Sequence, residues 1–115
     1  MAVYRFGDVV YFPYPYPDFS GSKDRPAVVI SCPKFNREKP EIVLIPITSQ
    51  LRHADTYGTT TILDWQKAGL TVPSVIKPFP HTGMQSDIRR KVGELTKGDK
   101  DKVRDMLANV LSNTF

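Results

Sequence analysis

The chain has 115 residues, a size that accommodates one domain with one hydrophobic core and not two. Hydrophobic residues at 40% and charged residues at 24% exclude wholesale disorder, and no apolar run approaches the roughly 20 residues of a membrane-spanning helix. The net charge of +4 favours an anionic partner such as nucleic acid or an acidic protein. The segment from Lys97 onward holds four bases and three acids, so most of the excess lies before it. Cys32 is the only cysteine, which rules out an internal disulfide and a cysteine-rich zinc site. The first residues run directly into Gly7-Asp8 without a signal-peptide layout, so the expectation is a cytoplasmic, reduced protein formed of a single domain, 1–115.

Asp8-Val9-Val10-Tyr11-Phe12 is β-branched and aromatic and reads as a first strand. It is expected to stop at Pro13-Tyr14-Pro15-Tyr16-Pro17, where alternating prolines remove amide donors. Residues 18–24 read as a polar loop, 27–32 as a strand buried on both faces, and 33–40 as an exposed loop. Ile42 to Ile47 reads as a second buried strand, with Pro46 at a partly unpaired end. After an irregular stretch over 49–57, Thr59 to Ile62 suggests a short strand. Asp64 to Gly69 has an Asp cap and a Gly stop, enough for one or two helical turns. Val72 to Phe79 is strand-like but broken by prolines, and Ile88 to Leu95 gives a last strand with Gly93 as its bulge. Thr96 then caps an amphipathic helix with Val103, Met106, Leu107, Val110 and Leu111 on one face and both charge signs on the other, which argues against a membrane surface. Short strands followed by one terminal helix predict a mainly β fold, a small curled barrel covered by that helix.

Common enzyme signatures are missing from the sequence. His53 and His81 have no helically spaced ligand partner, and there is no phosphate-binding Gly-rich loop and no nucleophile elbow. Two strand junctions carry the remaining chemistry. Arg25 precedes Pro26 and Thr48-Ser49-Gln50 ends the Ile42–Ile47 strand. If those strands are neighbours, a guanidinium, two hydroxyls and an amide meet on one rim and suit a phosphodiester. The plainer readings are an ion pair of Arg25 with Asp24 or Asp18 and a turn cap at Thr48. Tyr14, Tyr16 and Phe19 either stack unpaired bases or pack as a stiff lid on the barrel. Lys23 and Arg52 are candidate phosphate contacts, and Trp65 is expected in the core. Arg89-Arg90-Lys91 is the densest basic run, although its members point to alternate faces of a strand.

Gly7-Asp8-Val9-Val10-Tyr11, then Ser20 through Ile30 with Arg25-Pro26 inside it, resemble the first signature of MazF/PemK/Kid toxins. Pro46-Ile47-Thr48-Ser49-Gln50 resembles the second. Gly69-Leu70, Pro73-Ser74-Val75-Ile76 and Lys91-Val92-Gly93-Glu94-Leu95 follow as further landmarks in order, so the resemblance spans nearly the whole chain. It implies an SH3-like barrel of the CcdB/Kid/MazF type with a C-terminal helix, a homodimer, and an endoribonuclease that cuts single-stranded RNA sequence-selectively without a metal or other cofactor. It further implies an acidic antitoxin peptide as partner. Its key Arg and Thr fall on Arg25 and Thr48, the expected catalytic pair. Where the Kid branch supplies a later Arg and Asp, this chain has Lys77 and Phe79, which leaves the general base open; Lys77 and His81 are alternative proton carriers. Expected RNA contacts are Tyr14, Tyr16, Phe19, Lys23, Ser49, Gln50, Arg52, Lys77 and His81. The competing readings are a non-enzymatic toxin of the same fold, acting as a topoisomerase poison or docking module, and an inactive homologue that only binds antitoxin.

Overall fold

A computed structural model describes residues 3–15, 18 and 20–111. Strand β1 (Asp8–Pro15) pairs antiparallel with β2 (Ser22–Val29) from Val9 opposite Val28 to Pro15 opposite Ser22. The expected stop at Pro13 is therefore wrong, and so is the loop assigned to 22–24. The reason is which side the prolines face. The Arg89 amide donates to the Tyr11 carbonyl, so the polar groups of the odd-numbered residues point away from β2. Pro13 and Pro15 thus turn their missing donors toward an edge on which the neighbouring strand has already ended, and the ladder with β2 loses nothing.

The chain continues through helix α1 (Pro33–Glu38), strand β3 (Glu41–Thr48), β4 (Thr60–Thr61), β5 (Val75–Ile76), β6 (His81–Met84), β7 (Arg90–Glu94) and helix α2 (Lys97–Leu111). The strands form one antiparallel system in the order β4-β5-β3-β2-β1-β7, with β6 also paired to β3. The fold is thus mainly β, a half-barrel with a C-terminal helix, as expected.

Two cores fill it. The larger joins Val9, Val28, Ile45, Ile47 and Ile76 to Leu95, Val103 and Met106 beneath α2, with Trp65 packed against them. The smaller joins Val10, Phe12, Ala27, Val29, Ile42 and Leu44 on the opposite face. Leu111, expected on the apolar face of α2, is exposed. The Thr96 hydroxyl accepts the Asp99 amide at the start of that helix. The buried Asp99 carboxylate turns instead to the Leu63 and Asp64 amides, 3.0 and 2.9 Å away, and ties the 63–69 turn to the helix. That turn closes in a Schellman pattern, Leu70 amide to Trp65 carbonyl and Gly69 amide to Gln66 carbonyl, with Gly69 at φ +89. It is one turn long and not a regular helix.

Other local readings are corrected. Residues 33–38 are helical because Pro33 presets the first turn and the buried Asn36 amide donates to the Tyr4 and Ser31 carbonyls. Pro46 is the last β3 residue paired with β2, opposite Ala27, as expected, while β3 itself runs on to Thr48 against β5. Strand β6, which the sequence reading leaves unassigned as a strand, runs beside β3 from Glu41–Met84 to Leu44–His81. The bulge in β7 lies beside Gly93, since Val9 faces Gly93 while Val10 faces Lys91, which leaves Val92 as the extra residue. Among the described residues no helix is long and apolar enough to cross a membrane.

Candidate nucleic-acid interface

β2 and β3 pair only from Ala27–Pro46 to Val29–Leu44. Beyond Ala27 the strands part, and in the gap lies a pocket of about 250 Å³. The same register continued two residues further sets Arg25 across from Thr48. Both residues line the pocket, together with Lys23, Ser49 and Gln50; its far wall is built from Leu70, Thr71, Val72 and Ser74. Larger hollows of about 720 and about 500 Å³ lie elsewhere, but neither gathers this set of cationic and hydroxyl groups.

The local geometry prepares each group for an anion. Asp24 neighbours Arg25 in sequence, yet its carboxylate pairs with Arg89, 3.3 Å from Nε. Asp18 is occupied by the Ser20 amide, and that hydrogen bond holds its carboxyl below the usual range. The ion pair that would have made Arg25 an ordinary surface residue is not formed, and among the described residues no carboxylate neutralises its guanidinium. Thr48 Oγ1 accepts the Gln50 amide at 3.1 Å. With an acceptor site of the oxygen so engaged, the hydroxyl proton is free to donate outward.

The other expected contacts sit elsewhere. His81 meets the Tyr14 ring at 5.2 Å and the Phe12 ring at 5.6 Å between centroids, at the border of the smaller core. Burial pushes the Tyr14 phenol above the ordinary tyrosine value, and its hydroxyl has no hydrogen-bond partner among the described residues. Lys77 is half-buried; its backbone donates to Pro46 and its ammonium lies 5.8 Å from the Phe79 ring. Arg52 is exposed in the short 3₁₀ turn Leu51–His53, just past the pocket. Tyr16 and Phe19 lie outside the described residues. Two groups that sequence reasoning passed over are present instead: Tyr11 lines the pocket, and Arg90 stacks on its ring at 4.8 Å. The basic run 89–91 was the visible signal. It divides as alternation requires, with Arg90 on Tyr11 and Lys91 reaching the buried Asp8 carboxylate at 3.2 Å.

A family model described as "PemK-like, MazF-like toxin of type II toxin-antitoxin system" matches residues 5–111. The chain belongs to this family of toxins. Solved structures agree on the fold. An endoribonuclease in complex with its cognate antitoxin, from a mycobacterial species, superposes with a TM-score of 0.79 at 17% identity, covering 97% of this chain and 98% of that one. MazE–MazF from Deinococcus radiodurans gives 0.76 at 18% identity, with 98% and 100% covered. The Mycobacterium tuberculosis toxin MazF-mt6 gives 0.72 at 17% identity, with 92% and 99% covered. A comparison with curated protein sequences gives no match. For a MazF-like toxin, the pocket at the parted ends of β2 and β3 is the site whose chemistry calls for a function.

Proposed function

We propose that this toxin is an endoribonuclease that cuts single-stranded RNA sequence-selectively at the Arg25–Thr48 pocket. The observation that carries the reading is the Arg25 guanidinium, which no carboxylate pairs among the described residues, set across the strand gap from Thr48, whose Oγ1 accepts the Gln50 amide. The RNA 2′-OH attacks its own phosphorus, forming a bond to it while the bond to the 5′-oxygen breaks. The products are a 2′,3′-cyclic phosphate and a 5′-OH end. Arg25 stabilises charge that grows on the phosphoryl oxygens, the kind of term that dominates such sites. Thr48 donates to a phosphate oxygen, and Lys23, Ser49 and Gln50 hold the strand around it. In this reading these side chains meet the charge of the phosphate and the reaction is written without a metal. A guanidinium stays protonated at neutral pH and is a poor base, so the 2′-OH proton passes to solvent water, and water supplies the proton that the departing 5′-oxygen takes up.

The same anion-seeking pocket suits an acidic, extended peptide, and two of the fold's relatives are solved with an antitoxin. The proposal therefore includes inhibition by an acidic antitoxin segment laid across Arg25, and assembly as a homodimer. The test is incubation of antitoxin-free protein with a long single-stranded RNA in EDTA, with Arg25→Ala and Thr48→Ala as controls. Cleavage lost in both variants supports the reading. Absence of cleavage by the native chain overturns it in favour of a non-enzymatic toxin, and a requirement for magnesium overturns the mechanism.

A further inference from the structure

The bulge at Val92 shifts the register of β7 against β1. Without it, the pairing of Val9 with Gly93 would carry Lys91 opposite Tyr11; with it, Arg90 stands there. The fold thus places a planar guanidinium on the ring of Tyr11, 4.8 Å from its centroid, and Tyr11 is itself a wall of the Arg25–Thr48 pocket. The cations beside it are already committed. Arg89 is held by Asp24 and Lys91 by Asp8. Among the described residues no carboxylate pairs with Arg90, so its N–H donors have no acidic partner while its guanidinium is held over the ring. An arginine fixed by stacking is pre-organised for bidentate contact with a phosphate and gives up little side-chain freedom on binding.

We infer that the Tyr11–Arg90 pair is a second phosphate-binding subsite, which takes a neighbouring phosphate of the same RNA strand as the one held at Arg25. The inference rests on the proposed RNA substrate. Arg90 is a binding residue here, and Tyr11 is the platform that positions it. Register and not composition creates the subsite, since a β7 without its bulge would present a lysine with no fork to offer.

The test measures the affinity of the full-length protein for a fluorescent 2′-O-methyl RNA oligomer, which cannot be cut, over a range of salt concentrations. Arg90→Ala should weaken binding about tenfold at low salt and lower the magnitude of the salt slope by about 0.7, the value for one phosphate contact on a single strand. Arg90→Lys should restore part of the affinity. Arg104→Ala is the control, because Arg104 is also an arginine over an aromatic ring, Phe6 at 4.6 Å, but stands on α2 away from the pocket. It should change neither quantity. On cleavable RNA, Arg90→Ala should raise KM and leave kcat near the native value. Native binding and salt slope in Arg90→Ala, or an equal loss in Arg104→Ala, overturns the subsite. So does a native chain that cuts RNA but does not bind the oligomer, or one that binds only an acidic peptide. A native chain that binds the oligomer through Arg90 yet cuts no RNA keeps the subsite and overturns the nuclease reading.

Discussion

Replacing Thr48 by Val removes a hydroxyl while keeping the branched shape, and the structure sets the size of the effect. Thr48 Oγ1 accepts the exposed Gln50 amide at 3.1 Å, so the substitution frees one backbone donor that water can reach. Its cost to stability should stay within about 0.5 kcal/mol, as for surface changes that leave nothing buried unpaired. The loss to catalysis is larger. A hydrogen bond to a charged group contributes about 1.5–3 kcal/mol, which corresponds to a fall in kcat/KM of roughly 10- to 100-fold. Thr48→Ser keeps the hydroxyl and should keep most of the activity. The assay is initial-rate cleavage of a fluorogenic RNA in EDTA, with thermal unfolding of each variant measured in parallel. Native kcat/KM in Thr48→Val, with an unchanged melting temperature, would refute the role assigned to this hydroxyl.

Three stability predictions concern Tyr14, Asp99 and Gly83. Tyr14→Phe removes a buried hydroxyl that has no hydrogen-bond partner among the described residues and should stabilise the fold by about 1 kcal/mol, seen as a higher urea midpoint. In the native chain the raised Tyr14 pKa means that the unfolded phenol ionises first, so stability should fall as pH rises past ~10, and Tyr14→Phe should flatten that fall in an alkaline urea series. Asp99→Ala strands the Leu63 and Asp64 amides and should cost about 3 kcal/mol by chemical denaturation, with Asp99→Asn recovering part of it. In Gly83→Ala the new methyl would collide with the Phe12 ring, which the rings of Tyr14 and His81 flank; calorimetry should show a loss of about 1–3 kcal/mol.

What the sequence discloses divides along local and non-local lines. The α2 helix, the buried runs of β2 and β3 and the Gly69 stop rest on periodicity and short-range chemistry, and all are readable from the chain alone. The extension of β1 across Pro13 and Pro15 is not, because it depends on which edge the prolines face, a property of the neighbouring strand. His81-Thr82-Gly83-Met84 has the composition of a turn and becomes β6 only because β3 offers an edge and Phe12 packs where a Gly83 side chain would stand. Helix α1 rests on the polar contacts of Asn36 with Tyr4 and Ser31, which no periodicity encodes. At the candidate site, Arg25 and Thr48 were legible as strand junctions and from family resemblance. The diversion of Asp24 to Arg89 and the stacking of Arg90 on Tyr11 were hidden, since both follow from how β7 is aligned on β1.

The central claim is that Arg25, which no carboxylate pairs among the described residues, stabilises a phosphoryl group undergoing cleavage. The most direct measurement is single-turnover cleavage of a defined single-stranded RNA in EDTA by the native chain, Arg25→Lys and Arg25→Ala, with analysis of the product ends. The account predicts 2′,3′-cyclic phosphate and 5′-OH ends, a rate reduced roughly 100- to 1,000-fold in Arg25→Ala, and only partial rescue by lysine. Unchanged cleavage in Arg25→Ala, or products carrying a 5′-phosphate, would contradict it.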